Sequence, residues 1–344
     1  MAVSGEEWGK GSGLSAGETE RVCLTPFWYM LYSDKKKDAI VPYLTVLTAT
    51  YNRAHTLRRV YESLCRQEFT NFEWLIIDDG SSDTTPSLIE SFQKEATFPI
   101  RYYWKENGGR HTALNYALDK IESPYVLNID SDDAVDGQGL ALAYRNWESV
   151  PKEDYDRFWC VSGRCIDNVN TSLVGKPYPK GINNLKGRRQ HKKIVHYSGE
   201  KSCCRKLSIL KQYPFPEFDD TKFVSEGMVW EKINLKYDQY CTNDVFRVYY
   251  TDSPDSLAAG KTHSSTRWRT YYYVALFYVN DCFSQITYNK VISRSIVSTA
   301  RCALLSHTSY KETMGRLNAW YKRMLVTLAY PVAWIIIKFQ GIPN

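Results

Sequence analysis

Apolar positions between residues 43 and 129 come in blocks, and the blocks alternate between a strand-like and a helix-like period. Tyr43-Leu44-Thr45-Val46-Leu47-Thr48-Ala49-Thr50 is a nearly continuous apolar and β-branched run, which predicts a buried strand. Residues 53–66 follow with Leu57, Val60 and Leu64 on one stripe, which predicts a helix. Phe72-Glu73-Trp74-Leu75-Ile76-Ile77 reads as the next strand, and a helix from Pro86 to about Lys94 suits the preference of proline for a first helical turn. A third strand over 100–104, a helix over 112–121 and a fourth strand over 125–129 complete the series. Strand and helix alternating in this way predict an α/β fold with a doubly wound, mostly parallel sheet.

The polar punctuation is as informative as the apolar blocks. The first strand runs into Thr50-Tyr51-Asn52-Arg53, the second into Asp78-Asp79 and the fourth into Asp130-Ser131-Asp132-Asp133. In a parallel sheet these three ends share one edge, the edge at which such sheets bind ligands. Burying a carboxylate cluster unpaired costs several kcal/mol per charge. The last cluster must therefore meet water, a basic partner or a hard cation such as Mg²⁺ or Mn²⁺. Read alone, it is equally well an acidic turn capping a helix. No G-x-G-x-x-G follows the first strand and no G-x-x-x-x-G-K-[ST] occurs. Both absences argue against dinucleotide dehydrogenases and P-loop ATPases.

Beyond residue 150 the pattern loosens into short strands with Pro, Gly and basic residues. From Thr266 it becomes helical and aromatic, through Tyr271-Tyr272-Tyr273 and Leu276-Phe277-Tyr278. Met324 to Ile337 is nearly all apolar but contains Pro331 and falls short of a membrane span. A surface anchor and a buried final helix both fit it. The net charge of +6 over 344 residues is modest, and much of the excess sits in a run over 186–193. No motif frames that run for nucleic acid, so a nucleic-acid partner is not expected. The nine cysteines form no Cys-x-x-Cys pair, and residues 1–20 are polar without an apolar core. These features predict a reducing compartment and no secretory leader.

Four motifs in order carry a resemblance. They are Thr48-Ala49-Thr50-Tyr51-Asn52-Arg53, Ile76-Ile77-Asp78-Asp79-Gly80-Ser81-Ser82-Asp83, Asn107-Gly108-Gly109-Arg110-His111-Thr112-Ala113-Leu114-Asn115 and Asn128-Ile129-Asp130-Ser131-Asp132-Asp133. Residues 43–150 resemble the nucleotide-binding half of family-2 glycosyltransferases of the GT-A fold, and Phe223 to Trp230 is similar to the acidic motif that ends the acceptor loop there. The family's acidic pair is replaced here by Ser225-Glu226.

The resemblance implies an inverting transfer from a UDP-sugar to a saccharide or lipid-linked acceptor, helped by Mn²⁺ or Mg²⁺. It places Thr50 and Asn52 beside the nucleotide, with Thr48 and Ala49 giving backbone contacts, Asp79 on the base, and Gly108, Gly109 and Arg110 near the nucleotide. Asp130 would hold the ribose or the metal, with Ser131 beside the nucleotide. Asp132 would coordinate the metal directly, and His263 is a further candidate ligand. Glu226 would be the base, with Glu231 and Asp220 as alternatives. Domain limits are expected at 1–40 (an extension), 41–150 (donor half), 151–262 (acceptor half) and 263–344 (helical tail). A nucleotidyltransferase and a non-catalytic carbohydrate-binding protein stay open as alternatives. The expected location is the cytoplasm, with peripheral contact at the cytoplasmic face of a membrane.

Overall fold

Six of the seven residues of the first strand, β1 (Leu44–Thr50), and all seven of β2 (Phe72–Asp78) are buried. Strands covered on both faces need no polar alternation, which is why both read as continuous apolar runs. The computed structural model describes residues 41–179, 184–185, 199–251, 265–284 and 289–340. The expected extension over 1–40 and the basic run over 186–193 lie outside them.

The elements of the first half are β1, α1 (Ala54–Cys65), β2, α2 (Thr85–Glu95), β3 (Ile100–Trp104), α3 (Arg110–Lys120), β4 (Tyr125–Asn128), β5 (Ala134–Val135) and α4 (Gly139–Glu148). Then come β6 (Phe158–Asp167), β7 (Asn184–Leu185), β8 (Lys201–Lys206), α5 (Leu207–Leu210), α6 (Glu226–Asn234) and β9 (Asp238–Tyr249). The tail holds α7 (Ser265–Asp281), α8 (Asn289–Leu305), α9 (Tyr310–Arg316) and α10 (Trp320–Gln340). The strands form one sheet in the order β3-β2-β1-β4-β8-β6-β9-β5, with β7 on β9. The β3-β2-β1-β4 half is parallel throughout. Beyond it β8 is antiparallel to β4 and β6, and β6 is parallel to β9.

Alternate residues of each strand feed two cores. Val46, Trp74 and Ile76 pack under α1, α2 and α4 with Leu57, Val60, Leu64, Phe92 and Leu140. Leu47, Leu75 and Ile77 pack on the opposite face with Ala113, Leu114, Met228, Tyr272 and Val326. The helical tail therefore completes the second core of the sheet domain. Tyr272, Tyr273, Leu276 and Phe277 form its packed stripe. The tail is also pinned by charge: Arg269 pairs with Asp220, and the Tyr273 hydroxyl donates to both Asp220 oxygens at 2.9 Å.

Helix α3 starts at Arg110, two residues before its expected start at Thr112. Gly109 takes φ +100°, a left-handed conformation open to glycine, and so the chain turns into the helix early. The parallel register sets Thr50 beside Asp78 and Leu47 beside Asn128. The polar turns after β1, β2 and β4 thus leave the sheet along one edge.

A buried charged pair braces the parallel half of this scaffold. Arg101 grips Glu73 in a two-pronged contact at 2.8 and 2.9 Å, and Thr45 donates to the same carboxylate at 2.7 Å. Replacing Arg101→Met strands a buried carboxylate and should cost about 3–5 kcal/mol. Urea denaturation checks this, and a loss too small to resolve would show that the pair is solvated.

Candidate active site

The turn after β2 is organised around Asp79. Its Oδ1 accepts from the Gly108 backbone N–H at 3.0 Å and Lys105 Nζ at 2.9 Å. Its Oδ2 accepts from the Gly109 N–H at 2.7 Å and Asn107 Nδ2 at 3.2 Å. Four donors match the roughly four lone-pair sites of a carboxylate. Asp79 therefore fixes the 105–109 loop, and a contact to a base would require one of these donors to give way. The loop is closely packed from outside as well. A Cβ on Gly109 would lie 2.0 Å from the Lys222 carbonyl oxygen, and Lys222 Nζ donates to Asn107 O and Oδ1 at 3.0 Å. Neighbouring Asp78 is fully buried; burial pushes its carboxyl up, against donation from Ser81 N and from the Tyr102 hydroxyl at 2.8 Å each.

Asn52 ties the end of β1 to the same turn. It sits at φ +51°, a conformation asparagine tolerates better than most residues. Its Oδ1 accepts from Ser82 N at 2.8 Å and Asp83 N at 3.3 Å, while its own N–H donates to Ser81 Oγ at 2.8 Å. Thr48 is buried, its hydroxyl accepting from Trp74 Nε1 at 3.0 Å, and Ala49 is packed against the core. The buried Thr50 Oγ1, Asn128 Oδ1 and His111 Nδ1 have no hydrogen-bond partner among the described residues. Such orphans are uncommon in folded proteins, and each calls for an explanation.

The turn after β4 carries the main charge cluster. Arg110, the first residue of α3, pairs with both Asp130 and Glu226. Arg247, a buried residue of β9, reaches Asp130 at 2.9 Å, Asp133 at 3.4 Å and Glu200 at 3.1 Å. Burial works to raise the Asp130 carboxyl, but the Arg110 and Arg247 guanidinium groups overcome it and hold the group below the usual carboxylate range. At Asp133 burial wins over Arg247, and the carboxyl is pushed up to about 7. Its Oδ1 accepts from the Tyr250 N–H at 2.9 Å. Ser131 is buried, and the half-buried Asp132 carboxylate has no hydrogen-bond or ion-pair partner among the described residues.

Glu226 opens α6, where the positive end of the helix dipole favours a carboxylate. Trp230, one turn on, donates its indole N–H to Glu226 Oε2 at 3.2 Å. Arg205 of β8 lies over the other face of this assembly, its guanidinium 4.3 Å from the Trp230 ring. A carboxylate from the second half of the chain is thereby set against the acidic turn of the first half. Asp220 is committed to the tail through Arg269 and Tyr273, and His263 lies outside the described residues.

Arg247 was absent from the sequence reading, and Trp230 stood in it only as the last residue of the Phe223 to Trp230 motif, with no role given to its indole. Arg247 had one available signal: a lone cation in Val245-Phe246-Arg247-Val248-Tyr249, at a strand position whose neighbours are apolar. Trp230 had none, because an indole N–H aimed at a carboxylate looks in sequence like any core tryptophan.

The fit of a divalent cation can be judged from the donor set. Among the described residues no group of three or more His, Cys, Asp and Glu side chains could hold a metal. The turn instead offers Asp132, with Asp130 beside it in sequence, whose Oδ1 and Oδ2 already meet Arg110 and Arg247. One or two carboxylates are the usual protein share where Mg²⁺ or Mn²⁺ also binds phosphate oxygens and water. The residues present fit that mode.

Known proteins can now be set beside this geometry. Residues 45–210 match the family model described as Glycosyl transferase family 2. A Campylobacter jejuni GalNAc(5)-diNAcBac-PP-undecaprenol beta-1,3-glucosyltransferase is 26% identical over 314 residues, covering 88% of this chain and 95% of its own length. A poly-beta-1,6-N-acetyl-D-glucosamine synthase of Staphylococcus aureus is 32% identical over 146 residues, covering 42% of this chain and 34% of its own. Among solved structures, S. aureus TarS 1–349 in complex with UDP-GlcNAc superposes with a TM-score of 0.53 at 16% identity, over 88% of this chain and 93% of that one. A Pyrobaculum calidifontis mannosyltransferase in complex with GDP-Man and Mn²⁺ gives 0.51 at 14% identity, over 92% and 94%. The α/β sheet with its polar edge, the four ordered motifs and these matches lead to one conclusion: residues 45–210 are a glycosyl transferase family 2 domain, and the protein is a glycosyltransferase of the GT-A fold.

Proposed function

We propose that this glycosyltransferase moves a sugar from a UDP-sugar to a saccharide or lipid-linked acceptor with inversion, using Glu226 as base. The observation that carries the reading is the Arg110 bridge between Asp130 and Glu226. It places a base candidate against the turn where a donor diphosphate would lie. In the transfer an acceptor hydroxyl oxygen forms a bond to the anomeric carbon as the bond from that carbon to the diphosphate breaks. The hydroxyl proton passes to a Glu226 oxygen, and the electron pair leaves with the nucleoside diphosphate. Trp230 and the α6 N-terminus orient the Glu226 carboxylate. A single displacement needs no enzyme nucleophile beside the base.

We assign residues 41–150 to the donor and 151–262 to the acceptor. Thr50 and Asn52 border the nucleotide, Thr48 and Ala49 contribute backbone only, Gly108 and Gly109 let backbone approach it, and Ser131 lies beside it. Asp79 holds the loop that meets the base. Arg110 and Arg247 offset the charge of the diphosphate, as guanidinium geometry suits phosphate oxygens. Asp132 with Asp130 would hold a divalent cation, whose charge when bound stabilises the departing diphosphate. The orphaned Thr50 and Asn128 oxygens at the ends of β1 and β4 support a polar ligand at this edge. A UDP donor is supported by the UDP-GlcNAc complex of the TarS neighbour, and a lipid-linked acceptor by the activity named for the C. jejuni relative. The setting we propose is the cytoplasmic face of a membrane, with peripheral contact.

Two substitutions test the chemistry. Glu226→Gln should keep donor binding, read by calorimetry with UDP, and lower transfer by roughly 10²–10⁴-fold, the range for removing a positioned base. Transfer at the wild-type rate would move the base elsewhere. Asp132→Ala should leave the melting temperature unchanged and remove the stimulation of UDP release by Mn²⁺; stimulation that persists rules out Asp132 as a ligand.

A further inference from the structure

Helix α10 is asymmetric in an unusual sense. Its inner face is built of Lys322, Val326, Ala329 and Ala333, all buried, and packs on the tail core. Its outer face carries Trp320, Met324, Leu328, Val332, Ile335 and Phe339, spaced by four, four, four, three and four residues, with Trp334 beside them. This spacing puts them on one continuous stripe. They are open to solvent: Trp320 is 73%, Leu328 66% and Phe339 79% exposed. An exposed apolar surface of this extent marks an interaction site. Over 21 residues the helix is about 31 Å long, at 1.5 Å per residue.

The charge around the stripe selects the partner. Residues 289–344 contain eight Lys and Arg against a single acid, Glu312, although the whole chain carries only +6. Exposed Arg323 and Lys338 flank the stripe near the two ends of the helix. Tryptophans and long cations beside an apolar stripe suit the boundary between lipid headgroups and acyl chains. A second copy of the chain would bring the same cations against themselves. No helix among the described residues is long and apolar enough to cross a membrane, so the helix would lie in the surface.

We infer that α10 docks in the headgroup region of an anionic lipid bilayer, with the Trp320–Phe339 stripe facing the acyl chains and Arg323 and Lys338 meeting lipid phosphates. This deepens the peripheral setting proposed above and rests on it, but not on the transfer chemistry. The layer that would lie on the bilayer is tied to the acceptor side of the site. Arg269 and Tyr273 of α7 hold Asp220, and Thr270 donates to the Phe223 carbonyl at 2.8 Å, just before the Glu226 helix. Docking would thereby hold the acceptor loop at a set distance from the membrane.

Sedimentation of the full chain with vesicles tests this. The wild type should pellet with phosphatidylcholine vesicles that contain phosphatidylglycerol, and less with phosphatidylcholine alone or in high salt. The double variant L328E/W334E, both positions exposed, should lose roughly tenfold or more in partitioning with an unchanged melting curve. A wild type that stays in the supernatant with anionic vesicles overturns the inference, as does a variant that pellets equally well. A dimer by light scattering that the variant breaks, without vesicle binding, assigns the stripe to a second copy and also overturns it. UDP release from UDP-GlcNAc in the same samples separates the two readings. Release without pelleting sinks only the membrane inference; pelleting without release counts only against the transfer reading.

Discussion

The site depends on a guanidinium placed where it is electrostatically disfavoured. Arg110 opens α3, at the helix end where the dipole favours anions. It stays there because Asp130 and Glu226 approach it from two sides. The same interaction solves the problem of the two carboxylates. Without a cation between them, carboxylates from opposite halves of the domain would repel across a partly buried gap. Arg247 repeats the device on the other flank of Asp130, holding Asp133 and Glu200 as well. The alternating signs hold the half-buried Asp130 carboxyl below the usual carboxylate range.

Around this core the fold supplies rigidity through short, local ties. Asp79 takes four donors from the loop that delivers Arg110. Lys222, from the segment that delivers Glu226, grips the same loop at Asn107. The two carriers of the charge bridge are therefore fastened to each other as well as to the sheet. The tail adds a third tie through Arg269 and Asp220. Its helices read as an appendage in sequence, yet they fill the second core, so the membrane-facing surface proposed for α10 is coupled to the acceptor loop by packing.

Much of the donor half was legible. Its strands are buried on both faces and its helices carry one apolar stripe, so periodicity located β1 to β4 and α1 to α3 to within two residues. The largest displacement, two residues at the start of α3, follows from Gly109, whose left-handed φ was a local fact that the apolar pattern does not encode. The acceptor half was less legible because its strands pair across long separations. For example, β6 joins β8 and β9 with bulges between Phe158 and Cys160 and between Ser162 and Cys165. No window of sequence carries that pairing.

The chain's own order of residues determined the family, the parallel half of the sheet and the three polar strand ends, because each is set by patterns within about 30 residues. It also supplied Asp130 and Asp132 as candidates by type and position, and Glu226 through the family resemblance. Only the tertiary structure decided what those groups meet: Arg110 between two carboxylates, Arg247 on Asp130, Trp230 on Glu226, and Asp79 turned inward to its own loop. These are contacts between residues as much as 117 positions apart. They arise from sheet register and helix packing, which only the folded chain brings into being.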